Sequence, residues 1–187
     1  ASRNQGFEAI QRLAGGRAAV FHGDTLAFSW TIPVSAASPH DGVMMRFDEM
    51  ADLITRAFRA LGVDARVGEV PGEYCPGAHS VNARGETKLM GVGQRLIRNA
   101  AHVGGVIVMD GVERINDVLV PVYDALEIDW RPETTGSLQA ELGEVLYEDV
   151  KAAVLKEFAD AYELYDGSLT SETLAMAEKL ELEHLSP

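Results

Sequence analysis

The residues best suited to chemistry lie mostly between positions 73 and 105. Cys75, the sole cysteine of the chain, stands in Glu73-Tyr74-Cys75-Pro76-Gly77. Polar and turn-forming neighbours suit an accessible sulfur nucleophile, whereas an inert structural cysteine usually sits in an apolar run. His79 follows and can serve as a base or as a plain strand residue. Lys88 is the one lysine among eleven basic residues in 1–112, the other ten being arginine. A compact ammonium aimed at a carbonyl or phosphate would hold charge developing on oxygen; a solvent-facing strand lysine is the alternative. Gly91 and Gly93 come next, and glycine inside a strand marks a bulge or the close approach of a ligand or backbone. Upstream, Gly15-Gly16 between Arg12 and Arg17 could let backbone N–H groups approach an anion or acyl group, or could simply bend the chain. His102 precedes Gly104-Gly105 and either lines a site or is structural. Cys75 and His79 lack a second pair of ligands at zinc-like spacing, so no metal is expected. No nucleophile-elbow motif supports serine hydrolase chemistry.

Elements must hold these groups in place. Residues 7–12 and 17–22 read as strands separated by the glycine break. Gly23-Asp24 is a turn signal, and 26–32 alternates with period two before Pro33, so 17–22 and 26–32 are expected to form a hairpin. Residues 34–42 read as a loop. Phe47, Met50, Ala51, Ile54, Phe58 and Leu61 recur at helical spacing, with Gly62 as the stop. Residues 64–70 read as a strand, 79–82 and 87–94 as a second hairpin, and 102–109 as another apolar strand. Ile115, Val118, Leu119, Val122, Tyr123 and Leu126 share a helical face that Pro121 should kink or divide. Residues 147–164 are amphipathic, and Thr170 or Ser171 can cap a last helix ending near Leu185. Strands first and helices last argue an α+β fold, with a soft boundary near 111–113.

Composition narrows the function classes. The chain has 187 residues, enough for one domain, and a net charge of −13. Acidic and basic residues balance at eleven each in 1–112, whereas 113–187 holds eighteen acidic and five basic. Neither half offers the basic face a duplex binder needs, so no nucleic-acid partner is expected. No run approaches the roughly 18 apolar residues of a membrane helix, and no signal peptide is visible at the N-terminus. A lone cysteine excludes an internal disulfide, and a cytoplasmic, membrane-free protein is expected.

Three segments together resemble the lipoate–protein ligase and octanoyltransferase family, relatives of biotin protein ligase. Arg12-Leu13-Ala14-Gly15-Gly16-Arg17-Ala18-Ala19-Val20-Phe21-His22 is similar to that family's arginine, glycine-rich loop and Ala-Val-(aromatic)-His strand. Gly85-Glu86-Thr87-Lys88-Leu89-Met90-Gly91-Val92-Gly93-Gln94-Arg95 is similar to the Gly-x-x-Lys-(apolar)-x-Gly-x-x-Gln-Arg stretch holding its essential lysine. The segment from Val103 through Gly104, Gly105 and Val106 to Asp110 resembles the strand after that lysine. The likeness spans 7–125, leaving the helices of 145–187 beyond it. His102 is separated from Gly104 by Val103, where many members place a His-Gly directly, and Gly-Gly-Arg stands where many ligases continue with a third glycine. The family usually carries a strand and helix ahead of the Arg12 segment, so the sequence reads as a truncated form.

The resemblance implies a mixed sheet flanked by helices, the class II synthetase-like fold shared with biotin protein ligases. It implies a catalytic core at 1–125 with a helical C-terminal extension at 126–187, packed on the same domain. Cys75 and Lys88 would be catalytic, with Lys88 on the acyl carbonyl oxygen. Arg12, Gly15, Gly16, Arg17, His22, His79, Gly91, Gly104 and Gly105 would bind substrate. The expected activity is transfer of a lipoyl or octanoyl group, through a Cys75 thioester, to a lysine of lipoyl-carrier proteins. Lipoyl-domain proteins (2-oxoacid dehydrogenase subunits, glycine cleavage H protein) would be acceptor or donor, and acyl carrier protein is a further candidate partner. The alternatives are a lipoate ligase using ATP and Mg²⁺ through an acyl-adenylate, and a non-catalytic acyl-binding subunit.

Overall fold

Helix α1 (Val43–Ala60) forms where the apolar spacing asks for it. Met50, Ala51, Leu53, Ile54, Ala57 and Phe58 are all essentially inaccessible on one face, each larger one contributing about 1.5–3 kcal/mol by burial. Gly62 ends it with φ of +105°, a conformation that costs glycine little. This computed structural model describes residues 1–35 and 40–186; the expected 34–42 loop therefore falls partly outside them.

Helix α1 lies on a five-stranded sheet built from β1 (Thr25–Pro33), β2 (Ala65–Val67), β3 (Val81–Ala83), β4 (Thr87–Ile97) and β5 (Ala100–Val108). The spatial order is β1-β5-β4-β3-β2, and every ladder is antiparallel. The parallel component is an isolated bridge between Lys88 and Thr135. Register fixes the faces, because opposed residues in an antiparallel pair point the same way. Leu26, Met90, Val103 and Ile107 join the core beneath α1, with Phe28 and Val92 packed against it. The opposite face carries Ala27, Gly91, Gly93, Gly104 and Val106 in matched register. Small residues there leave a trough where a side-chain layer would otherwise be.

Helix α2 (Val112–Ala125) continues undivided through Pro121. It builds a second core of Val20, Tyr74, Val108, Ile115, Val118, Leu119 and Tyr123. The short α3 (Leu138–Leu142) and α4 (Tyr147–Ala161) return to the first core through Leu138, Val150 and Val154. Helix α5 (Ser171–His184) starts where Thr170 accepts the Thr173 N–H.

Three expectations need correction. Residues 7–12 are not a strand: Ile10 makes an isolated bridge to Leu185 just past α5, with Gln11 N–H on the His184 carbonyl and Ser186 N–H on that of Ala9. Residues 17–22 are not a strand either, and they form no hairpin with β1, whose neighbour is β5. Val20 is buried against α2 instead, with Ala18 and Ala19 packed beside it, while Phe21 stays exposed at the cavity, and the Tyr123 hydroxyl donates to the Ala18 carbonyl at 3.0 Å. The 64–70 strand shortens to 65–67, because Gly68 turns away with φ of +140°.

Candidate active site

The trough opens into a cavity of about 1150 Å³. Arg12, Gly15, Gly16, Cys75, His79, Lys88, Gly91, Gly104 and Gly105 all reach its wall, as do apolar side chains such as Leu13, Phe28, Phe47 and Val106. Arg17 and His22 do not: Arg17 meets the site only through its backbone, and His22 packs at the start of α2, where a Cβ on Gly111 would lie 2.6 Å from its ring. Its Nε2 is buried without a hydrogen-bond partner, and burial holds its pKa below the ordinary histidine value despite Asp24 beside it.

Cys75 is held at three points. Its φ of +43° is unusual for a residue with a side chain. Its N–H donates to the Tyr123 hydroxyl at 2.7 Å, and its carbonyl accepts from Lys88 Nζ at 2.8 Å. Its Sγ accepts the backbone N–H of Arg17 at 3.1 Å and an Arg12 guanidinium N–H at 3.4 Å. Such donors suit a sulfur that must carry negative charge. Arg12 also donates to the Arg17 carbonyl at 2.7 Å, closing the 12–17 turn over the sulfur. Gly16, with φ of +110°, must be glycine here: a Cβ would stand 2.4 Å from Arg12 Nη2 and 2.9 Å from Cys75 Sγ. Tyr123 stays protonated, since burial pushes its pKa up to about 12.

Lys88 is 1% exposed. Its three ammonium hydrogens go to Glu73 Oε1 at 2.9 Å, the Tyr74 carbonyl at 3.0 Å and the Cys75 carbonyl at 2.8 Å, with the Tyr74 ring centroid at 4.9 Å. Strict alternation along β4 would put residue 88 on the α1 side with Met90. The pairing instead steps from Val81↔Met90 to Asn82↔Lys88, leaving Leu89 unmatched in a β-bulge. The bulge re-aims Lys88 toward the trough. A Cβ on Gly91 would stand 3.2 Å from Lys88 Cε, a tight contact that glycine avoids. Gly105 answers a different need, since a Cβ there would meet the Phe28 ring at 2.6 Å.

His79 shares the cavity wall with Cys75, but no hydrogen bond joins them. Its Nε2 pairs with Asp48 Oδ1 at 2.8 Å and its ring stacks on Phe47. His102 likewise reaches the wall, paired with Thr31 Oγ1 at 3.0 Å. Among the described residues, no group of three or more His, Cys, Asp or Glu could hold a metal ion, and no helix is long and apolar enough to cross a membrane.

Two features were missed in the sequence. Glu73, the buried partner of Lys88, was signalled only by a lone carboxylate beside Tyr74-Cys75. Helix α5 contributes Thr173 and Leu180 to the cavity wall, and nothing in its own pattern says so.

Comparison with known proteins agrees with this architecture. An octanoyl-[GcvH]:protein N-octanoyltransferase of Exiguobacterium is 34% identical over 101 residues, 53% of this chain and 34% of the relative. The enzyme of the same name from Bacillus velezensis is 27% identical over 191 residues, 94% of this chain and 65% of the relative. The aligned region is thus between a third and two thirds of these relatives' length. Among solved structures, a T. acidophilum protein with bound lipoic acid superposes with a TM-score of 0.74 at 19% identity, covering 97% of this chain and 70% of that one. Lipoate-protein ligase A bound with ATP gives 0.74 at 18% identity, covering 95% and 69%. These likenesses establish the fold. The family model for the lipoyl protein ligase A/B catalytic domain matches residues 1–159, and the chain belongs to that family.

Proposed function

We propose that this chain transfers an octanoyl or lipoyl group to a lysine of lipoyl-carrier proteins through a thioester on Cys75. The observation that carries the reading is the setting of Cys75: a sulfur at an apolar cavity, facing two N–H donors, on a backbone clamped to Lys88. The name of the relatives supports octanoylated glycine cleavage H protein as donor and a protein amine as acceptor. Acyl carrier protein and the lipoyl domains of 2-oxoacid dehydrogenases are further partners to test. The reading assigns this activity to the cytoplasm, with 1–125 as transferase core and 126–187 as an extension packed on it.

In the first step the Cys75 sulfur attacks the acyl carbonyl. The C–S bond forms, the bond to the donor's nitrogen or sulfur breaks, and the thiol proton ends on that leaving group. In the second step a neutral acceptor amine attacks the thioester, C–N replaces C–S, and the amine proton returns to sulfur. Lys88 steadies charge on the acyl oxygen by exchanging one of its two carbonyl contacts for it. Arg12, Gly15, Gly16 and Gly91 shape the slot while the Arg17 N–H holds the sulfur, and each acyl CH₂ buried there contributes about 0.8 kcal/mol. His79, held by Asp48, faces the cavity as a candidate to receive the acceptor's proton. Gly104 serves by keeping the floor low, and Gly105 by giving room to the Phe28 ring on the other face of the sheet.

ATP and Mg²⁺ belong only to the ligase alternative, in which Arg12 and Arg95 are the cavity-wall cations available to a phosphate. The test is octanoyl transfer from octanoylated H protein to a lipoyl domain with ATP absent. The expected result is transfer by the wild type and none by Cys75→Ala. Transfer that needs ATP and free acid and survives in Cys75→Ser would replace this reading by the ligase. Octanoate binding without turnover would replace it by an acyl-binding subunit.

A further inference from the structure

Glu73 has no part in the chemistry above, yet it is the most heavily bonded carboxylate near the sulfur. Its side chain is fully buried. Oε1 accepts from Lys88 Nζ at 2.9 Å, Ser80 Oγ at 2.5 Å and Gly77 N–H at 3.2 Å, and Oε2 accepts the Val70 N–H at 3.0 Å. These four donors come from both ends of the 70–80 loop and from β4. A buried carboxylate and a buried ammonium persist only when paired and otherwise satisfied, and here both conditions hold.

The geometry points to Glu73 as the positioning residue for acyl transfer, acting through Lys88 and the 70–80 loop; this rests on the Cys75–Lys88 reading. One carboxylate ties the loop's two ends together and supplies the counter-charge that keeps the Lys88 ammonium at the cavity wall. Lys88 in turn grips the carbonyls of Tyr74 and Cys75, so the left-handed backbone at Cys75 is set by a chain of contacts that begins at Glu73. When Lys88 releases one carbonyl to meet an acyl oxygen, Glu73 remains as its fixed anchor. The acylation rate at saturating donor should therefore depend on Glu73, while donor binding in the slot should not.

The experiment is pre-steady-state acylation of Cys75 by S-octanoyl-N-acetylcysteamine, read by intact mass, for the wild type, Glu73→Gln and Ser80→Ala. Glu73→Gln keeps the shape and removes the charge. Its saturating rate should fall on the order of tenfold or more, as expected when a charged group beside the reacting atoms is misplaced, with the half-saturating thioester concentration little changed. Ser80→Ala removes one anchor of the carboxylate and keeps the ion pair, so the chain should fold and acylate measurably more slowly. A Glu73→Gln protein that acylates at the wild-type saturating rate overturns the proposal. Should Glu73→Gln not fold, an unchanged rate in Ser80→Ala overturns it instead. A wild type that forms no Cys75 adduct removes the reading beneath it, an outcome distinct from both.

Discussion

Two loops wall the sulfur, and they are built on opposite plans. The 70–80 loop is tied from within: Glu73, Tyr74 and Ser80 are buried, and Lys88 and Tyr123 clamp the Cys75 backbone. The 12–17 segment is exposed through Arg12, Leu13, Gly15, Gly16 and Arg17. It is held by side-chain reach, through Arg12 on the Arg17 carbonyl and Arg95 on that of Leu13. A nucleophile needs fixed coordinates, whereas the wall of an acyl slot must admit and release a chain. Tyr123 joins the two, accepting from Cys75 and donating to Ala18.

Removing the anchor of the rigid loop should have the largest effect. Lys88→Met leaves Glu73 as a buried carboxylate without its counter-charge, a change that costs about 3–5 kcal/mol. Octanoyl transfer should fall by on the order of a hundredfold or more. Urea unfolding together with single-turnover transfer measures both. Tyr123→Phe should cost less, about 1–3 kcal/mol, because the Cys75 N–H loses its partner in a partly buried site. Thermal unfolding reads that loss, and slower Cys75 alkylation or acylation would locate it at the junction of the loops.

Gly16→Ala tests the adaptable wall. Its Cβ would crowd Arg12 and Cys75 Sγ, so kcat/KM should drop about tenfold, close to 1.4 kcal/mol. The melting temperature should fall less than in Tyr123→Phe, since the exposed segment can shift to relieve the strain of alanine at a positive φ. A large loss of stability with activity retained would erase the distinction between the loops.

The smallest effect concerns pH. Burial, with Arg114 nearby, lowers the His22 pKa below 6.5 while Asp24 and Asp110 oppose it. The unfolded chain then binds that proton more readily, so stability is complete above pH 6.5 and declines as pH falls below it. His22→Gln should remove that part of the decline in urea midpoints compared at pH 7.5 and 5.5, leaving Cys75 acylation unchanged.

How much of this was legible in the sequence follows from the physics of each signal. Cys75 and Lys88 stood out by type and rarity, the resemblance to the family's motifs singled out Arg12 and the paired glycines beside them, and all of these meet at one cavity. Helix α1 and strand β1 were legible as periodicity, which reports a buried face directly, β4 as the second arm of a hairpin and β5 as an apolar run. Periodicity does not report what covers that face, so 17–22 looked like a strand although it packs on α2. The bulge at Leu89 was invisible because it changes which side Lys88 takes without changing composition. Glu73 looked like one of many surface acids, since nothing local announces a charge whose partner is on another strand. Helix α5 reaches the cavity through long-range ties to residues 9–11, which no local pattern encodes.

The most direct measurement of the central claim is peptide mapping of protein quenched in acid after mixing with an octanoyl thioester. The account predicts one octanoyl group on the peptide containing Cys75, released by neutral hydroxylamine and lost when lipoyl domain is added before the quench. An octanoyl group found on another residue, or persisting in Cys75→Ala, would contradict it.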